Sequence, residues 1–81
     1  MNADEIRARL AGSFEDCEVT VEEPAPGKFL VTLVGERFEG LPRVKRELQA
    51  GAPLRDAILE GRLHAVSYNV HTPAEWSGRG R

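Results

Sequence analysis

The sequence predicts one small α+β domain in which helices cover one face of a three-stranded mixed sheet. The chain has 81 residues, which is enough for one modest hydrophobic core. Two strand-like runs flank a short segment rich in Pro and Gly, which is typical of an antiparallel hairpin. A third strand-like run follows a helical stretch, so the second and third strands should be parallel. The predicted order is α-β-β-α-α-β-α, with one domain over residues 1–77 and a flexible tail over residues 78–81.

The first helix is predicted over about residues 3–12. Asn2 and Glu5 have the spacing of a capping box, in which each side chain bonds the other residue's backbone N–H. The apolar residues recur at intervals of four, as one face of a helix requires. They are Ile6, Leu10 and, just beyond the helix, Phe14.

Two strands form the predicted hairpin. Residues 18–22 alternate polar and apolar side chains, and residues 29–34 are rich in residues that favour strands. Residues 24–27, Pro-Ala-Pro-Gly, cannot continue a strand and predict a turn. Cys17 has the parity of the apolar residues in the first strand, so its side chain should face inward.

The second half of the chain predicts two helices, a strand and a final short helix. The apolar stripe of the second helix consists of Leu41, Val44 and Leu48. Residues 50–52 break this helix, and Pro53 begins a third helix that ends at Gly61. The apolar residues of the third strand are Val66, Tyr68 and Val70. Residues 72–75, Thr-Pro-Ala-Glu, form a second capping box and begin the last helix.

Charge and cysteine content limit the class of protein. The formal net charge is −2, so the whole chain is not a general polyanion binder. Residues 1–26 carry seven acidic and two basic residues, whereas residues 27–81 carry nine basic and six acidic ones. The second part could present a weakly basic face; the alternative is an ordinary mixed surface. One cysteine excludes an intrachain disulfide. With no signal core or long apolar run, we expect a cytoplasmic protein that does not enter a membrane.

The sequence contains no arrangement typical of an active site, so we expect a non-enzymatic protein. The serines lack the context of a nucleophile elbow. Residues 35–40 lack the Lys-Ser/Thr pair that completes a phosphate-binding loop. Asp16 and Glu18 flank Cys17 and should raise its pKa, which makes it a poor thiolate nucleophile.

The two histidines are candidate metal ligands. His64 and His71 are seven positions apart on the predicted third strand, roughly 23 Å, and the odd separation puts them on opposite faces. They cannot bind one ion together, and the chain lacks the roughly four ligands of a structural zinc site. A metal held by His64 therefore needs ligands from a second molecule. The alternative is a hydrogen-bonded surface histidine without a metal.

The second helix contains a basic cluster, which consists of Arg43, Lys45 and Arg46. Two helices joined by a short turn with Gly can read DNA, so residues 41–63 are a candidate helix-turn-helix unit. Acidic residues dilute the charge of these helices, and the alternative interpretation is a solvated helix face. DNA binding here would be weak and salt-dependent.

Four segments of the chain resemble the BolA family. They are residues 34–46 (Val-Gly-Glu-Arg-Phe-Glu-Gly-Leu-Pro-Arg-Val-Lys-Arg), residues 53–54 (Pro-Leu), residues 62–67 (Arg-Leu-His-Ala-Val-Ser) and residues 72–76 (Thr-Pro-Ala-Glu-Trp). The resemblance covers residues 3–77 and is closest to the acid-stress branch known as IbaG or YrbA. It implies a fold similar to class II KH domains, in agreement with the order predicted above. The sequence lacks the Gly-x-x-Gly loop with which those domains bind RNA.

The resemblance also implies a partner and a cofactor. BolA-like proteins bind monothiol glutaredoxins, and the two share a bridging [2Fe–2S] cluster with thiolates from the glutaredoxin and from glutathione. The cluster-ligating histidine of the family corresponds to His64. The partner-binding residues would be Arg62, His64 and Ala65, with Arg62 meeting carboxylates of the partner or of glutathione. The isolated protein, a monomer or weak homodimer, is expected to hold no cofactor.

The chain departs from the family in the loop between the first two strands, where some members have a Cys or His ligand. Lys28 occupies that position, and a protonated lysine cannot ligate iron. His64 is then the only ligand expected from this chain. The implied function is an adaptor in iron–sulfur trafficking or in iron or redox stress regulation. The alternative is a transcriptional regulator that binds DNA through residues 41–63.

Overall fold

The computed structural model describes residues 1–78, and this part of the chain forms four helices and three strands. They are α1 (Ala3–Ser13), β1 (Glu18–Ala25), β2 (Lys28–Val34), α2 (Arg43–Gly51), α3 (Arg55–Leu59), β3 (Ala65–His71) and α4 (Pro73–Gly78). The predicted order is confirmed. The last helix ends at Gly78, the first residue of the predicted tail, and residues 79–81 lie outside the described residues. None of the helices in residues 1–78 has the length and apolar character needed to cross a membrane.

The strands form one mixed sheet in the order β1-β2-β3. β1 and β2 are antiparallel and β2 and β3 are parallel, as predicted. In the parallel pair, Lys28 lies opposite Ala65 and Val34 lies opposite His71. The first residues of β2 and β3 therefore meet at one end of the sheet, and the segment that contains His64 enters β3 at that end.

Helices cover one face of the sheet. α1 packs against β1, and α2 packs against β3. Val31 and Leu33 of the central strand are fully buried on this face, whereas Ser67 and Asn69 on the opposite face are exposed. The core consists of Ile6, Leu10, Phe14, Phe29, Val31, Leu33, Phe38, Ala50, Leu54, Ala57, Leu63 and Val70. The apolar stripe predicted for the first helix is therefore confirmed as a core face.

β1 extends further than the sequence predicts. The predicted turn over residues 24–27 is wrong in its first half, because the strand includes Pro24 and ends at Ala25. β1 is an edge strand, where a residue without a backbone N–H is tolerated. The pairing with β2 also shifts register between Glu22 and Ala25, as at a β-bulge. Gly27, with a φ of 74°, completes the turn in a conformation that glycine adopts without strain.

α2 buries a different face from the one that its apolar stripe predicts. Val44 and Leu48 are each 70% exposed. Ala50 of α2 is fully buried, and the partly buried Gly51 lies close to β3. A Cβ atom at Gly51 would lie 3.2 Å from Tyr68 Oη, so small residues let the helix approach the strand. Packing against β3, rather than helical periodicity, selects the buried face.

The predicted break between the second and third helices is a 3₁₀ turn. α2 runs through Gly51, and the turn Ala52–Leu54 leads directly into α3, which begins at Arg55 instead of at Pro53. The tighter turn places Leu54 in the core, where α1 packs against it. Gly61, with a φ of 74°, follows the end of α3 and confirms the predicted helix stop.

The connection before α2 contributes to the core, a feature that the sequence pattern does not predict. A 3₁₀ turn, Glu36–Phe38, buries the Phe38 side chain completely. Its ring centroid lies 6.1 Å from that of Phe14, at a tilt favourable for aromatic pairs. The only sequence feature that could have indicated this burial is a single aromatic residue between Gly35 and Gly40.

Candidate functional site

His64 lies in the loop that leads into β3, not on the strand as the sequence predicts. The preceding Leu63 is only 2% exposed, so the loop is anchored in the core and strand pairing begins at Ala65. His64 itself is exposed. Gly61 leaves room beside its ring, since a Cβ atom there would lie 4.0 Å from His64 Cε1. The loop thus holds an accessible imidazole at the end of the sheet.

A hollow of about 410 Å³ borders His64. It is lined by Pro24, Lys28, Phe29, Leu30, His64, Ala65, Val66 and Ser67. The strand register explains the presence of Lys28, because that residue pairs with Ala65, the neighbour of His64. Lys28 therefore lies beside the candidate ligand, at the place that the family resemblance implies.

The other predicted partner-binding residues lie in the same segment. Arg62 is exposed, but its guanidinium donates to Glu60 Oε1 from Nε at 2.9 Å and from Nη2 at 2.6 Å. Ala65 is exposed and begins β3. Arg62, His64 and Ala65 are thus close together, and the charge of Arg62 is balanced by its neighbour Glu60.

His71 lies at the other end of β3 from His64. Its ring centroid is 5.4 Å from that of Trp76 in α4. The two histidines are therefore separated by the whole strand and cannot contact one ion, as predicted. Within residues 1–78, no group of three or more His, Cys, Asp or Glu side chains is placed to hold a metal.

α4 is fixed by its capping box and by an ion pair with α2. Thr72 N donates to Glu75 Oε1 at 3.0 Å, and Glu75 N donates to Thr72 Oγ1 at 3.3 Å, which confirms the predicted cap. Arg46 donates from Nη1 to Glu75 Oε1 at 2.6 Å and from Nη2 to Oε2 at 3.1 Å. The hydrogen bonds from Arg46 and then from the Thr72 backbone lower the pKa of Glu75 from 4.5 to about 2.

This lowered pKa predicts how acid weakens the α4 attachment. Because the folded state favours ionised Glu75, its stabilising contribution is full above pH 4.5 and is lost as the pH falls towards about 2. The free energy of unfolding, measured by urea denaturation at a series of pH values, should therefore differ between wild type and Glu75→Gln above that range. The difference should shrink within it. The control Glu22→Gln removes an exposed carboxylate of β1 and should parallel wild type. A constant difference between wild type and Glu75→Gln would contradict the assignment.

The basic residues of α2 do not form one free surface. Arg43 pairs with Glu47 of the same helix, with Nε 2.7 Å from Oε2. The Arg46 side chain is only 14% exposed and is directed at Glu75. Lys45 is exposed and has no ion pair within residues 1–78. DNA binding through residues 41–63 stays a prediction that these contacts do not favour.

Cys17 is partly buried against the core, as its parity predicts. Burial raises the pKa of the thiol, and the negative charge of Asp16 raises it further. The expected rise in pKa is confirmed, with burial as its main cause and Asp16, rather than Glu18, as the acidic neighbour that contributes. Cys17 precedes β1 at the end that pairs with Val34, whereas the other end pairs with Lys28. It is therefore remote from His64.

Solved structures define the class of this fold. BolA1 from Arabidopsis thaliana has a TM-score of 0.77 and 32% identity, over 93% of this chain and 96% of that chain. The BolA domain of SufE1 from Arabidopsis thaliana has a TM-score of 0.76 and 30% identity, over 90% of this chain and 93% of that chain. The arrangement of helices on one face of a mixed sheet is therefore the BolA fold.

Sequence comparison gives the branch. The acid stress protein IbaG of Escherichia coli (strain K12) is 39% identical over 77 residues, which cover 95% of this chain and 90% of IbaG. No family model matches the chain. On the identity and coverage of IbaG, together with the BolA structures, the chain belongs to the BolA family, in its IbaG branch.

Proposed function

We propose that this chain is a non-enzymatic adaptor that binds a monothiol glutaredoxin and shares a bridging [2Fe–2S] cluster with it. The observation that carries the proposal is His64, an exposed imidazole beside a hollow and on a loop anchored by the buried Leu63. Imidazole ligates iron in other [2Fe–2S] proteins and raises the potential relative to thiolate ligation. Membership of the BolA family supports the same role.

The donor set fits a shared cluster rather than one held by this chain alone. A [2Fe–2S] cluster takes about four donor side chains. Lys28, which also lines the hollow, cannot ligate iron when protonated, and Cys17 is at the far end of the sheet. His64 would hold the cluster from this side, and thiolates of the glutaredoxin and of glutathione would complete the set.

The biological setting of such an adaptor would be iron–sulfur trafficking or iron or redox stress regulation in the cytoplasm. The name of the relative from Escherichia coli, an acid stress protein, supports a stress context. Arg62, two positions before His64, and Ala65, the residue after it, would contribute to the surface that the partner contacts.

The test compares His64→Ala with His71→Ala in the full chain. Each protein is mixed with a cluster-loaded monothiol glutaredoxin, and visible absorbance and circular dichroism are followed. Wild type and His71→Ala should give the same altered spectrum. His64→Ala should lose it and bind at least about tenfold more weakly, because an iron ligand is gone. His64 is exposed, so far-ultraviolet circular dichroism should show an unchanged fold.

The role of His64 is wrong if His64→Ala gives the spectra and affinity of wild type. The adaptor proposal itself fails if wild type leaves the spectrum of the loaded glutaredoxin unchanged. His71→Ala removes the histidine at the other end of β3, so its wild-type behaviour separates loss of the ligand from a general effect of removing an imidazole.

A further inference from the structure

Lys28 is an uncompensated cation in the hollow beside His64. Among residues 1–78, no carboxylate lines this hollow, and the only other ionisable side chain there is that of His64. Lys28 has no ion pair within residues 1–78. Glu23, in the same hairpin, is engaged elsewhere, since its Oε2 atom accepts a hydrogen bond from Gly27 N at 3.0 Å. The hollow therefore carries positive charge that the described residues leave unbalanced.

We propose that this hollow binds a carboxylate, with the Lys28 ammonium as its ion-pair partner. Pro24, Leu30 and Ala65 give the hollow apolar surface, and Ser67 adds a hydroxyl group. A single ammonium group matches the single charge of a carboxylate, whereas phosphate sites usually gather several donors.

In this proposal Lys28, rather than Arg62, meets the carboxylate. The guanidinium of Arg62 is already bonded to Glu60, whereas Lys28 is free of acidic partners within residues 1–78. The source of the carboxylate rests on the proposed function: in a complex with a glutaredoxin it would belong to glutathione or to the partner protein. In either case Lys28 would fix the position of that group next to His64.

The test is a titration of the isolated full chain with reduced glutathione at constant ionic strength, followed by ¹H–¹⁵N spectra. Amide shifts should be confined to residues 28–30 and 64–67, which line the hollow. Lys28→Gln should weaken binding about tenfold, the effect of one charge-assisted contact. Arg9→Gln removes the same charge from α1 and should bind like wild type. The diethyl ester of glutathione, which has no free carboxylate, should not bind.

Three results would overturn the proposal: equal binding by wild type and Lys28→Gln, equal weakening by Arg9→Gln, or equal binding of the ester. If glutathione causes no shifts, the titration is repeated with a glutaredoxin free of glutathione, which tests a carboxylate of the partner protein. No effect of Lys28→Gln there also overturns it. Neither titration contains a cluster, so failure of the carboxylate proposal leaves the ligand role of His64 intact. Conversely, unchanged spectra for His64→Ala would leave the carboxylate site intact.

Discussion

Replacement of Leu54 with alanine is expected to lower the free energy of unfolding by about 2–5 kcal/mol, whereas Leu48→Ala should cost less than about 0.5 kcal/mol. Leu54 is fully buried in the 3₁₀ turn against α1, so truncation leaves a cavity. Leu48 is 70% exposed on α2, so the same truncation removes little buried surface. Alanine also has a high helix propensity, so the exposed substitution should not weaken α2. Urea denaturation of both variants at one pH measures the difference.

The comparison remains informative if Leu54→Ala fails to fold. Leu54→Met keeps most of the side-chain volume and should cost less than about 1.5 kcal/mol. A loss of about 2 kcal/mol or more for Leu48→Ala would indicate that the stripe of apolar residues on α2 is buried after all. That outcome would contradict the packing of this helix through its small residues.

Arg46→Ala is expected to cost about 2 kcal/mol of folding stability, and Arg43→Ala at most about 0.5 kcal/mol, although both arginines belong to α2 and both form an ion pair. Arg46 is 14% exposed and bonds the backbone carbonyls of Leu41 and Val70 at 2.8 and 3.2 Å as well as Glu75. Its loss leaves these acceptors without a donor and releases α4 from α2. The Arg43 side chain is 88% exposed, so water replaces its contact with Glu47. Thermal unfolding and Trp76 fluorescence measure global stability and the attachment of α4.

A second substitution identifies what Arg46 contributes. Arg46→Lys keeps the charge but cannot make the two parallel bonds to Glu75, so its stability should be intermediate. Stability equal to that of wild type would show that charge alone suffices. If Arg43→Ala were as destabilising as Arg46→Ala, the contacts between α2 and α4 would not be the cause.

Features that depend on neighbours in the sequence were predictable. Both capping boxes join residues three positions apart, and the structure contains each of them. The hairpin follows from two strand-like runs around a turn, and the parallel pairing of β2 and β3 follows from the helical connection. The extension of β1 through Pro24 was less predictable, because a strand accepts proline there only when it lies at the edge of the sheet.

Features that depend on distant partners were not predictable. The buried face of α2 is selected by Tyr68 on β3, and the partner of Arg46 is Glu75 in the last helix. For the candidate site, the sequence alone indicated His64 as a possible metal ligand but gave no second ligand from this chain. Family resemblance pointed to Lys28, and the strand register supplied the physical reason for its place beside His64.

The parallel pairing of β2 and β3 makes the candidate site depend on complete folding. Lys28 and His64 are separated along the chain by α2 and α3, so their approach requires closure of a long loop. A chain that has formed only the β1–β2 hairpin contains both side chains but no hollow between them. Core variants such as Leu54→Ala should therefore reduce apparent affinity through the fraction of folded molecules, with no change in the intrinsic affinity of those that fold. The hollow would in this way allow a partner to discriminate mature chains from incompletely folded ones.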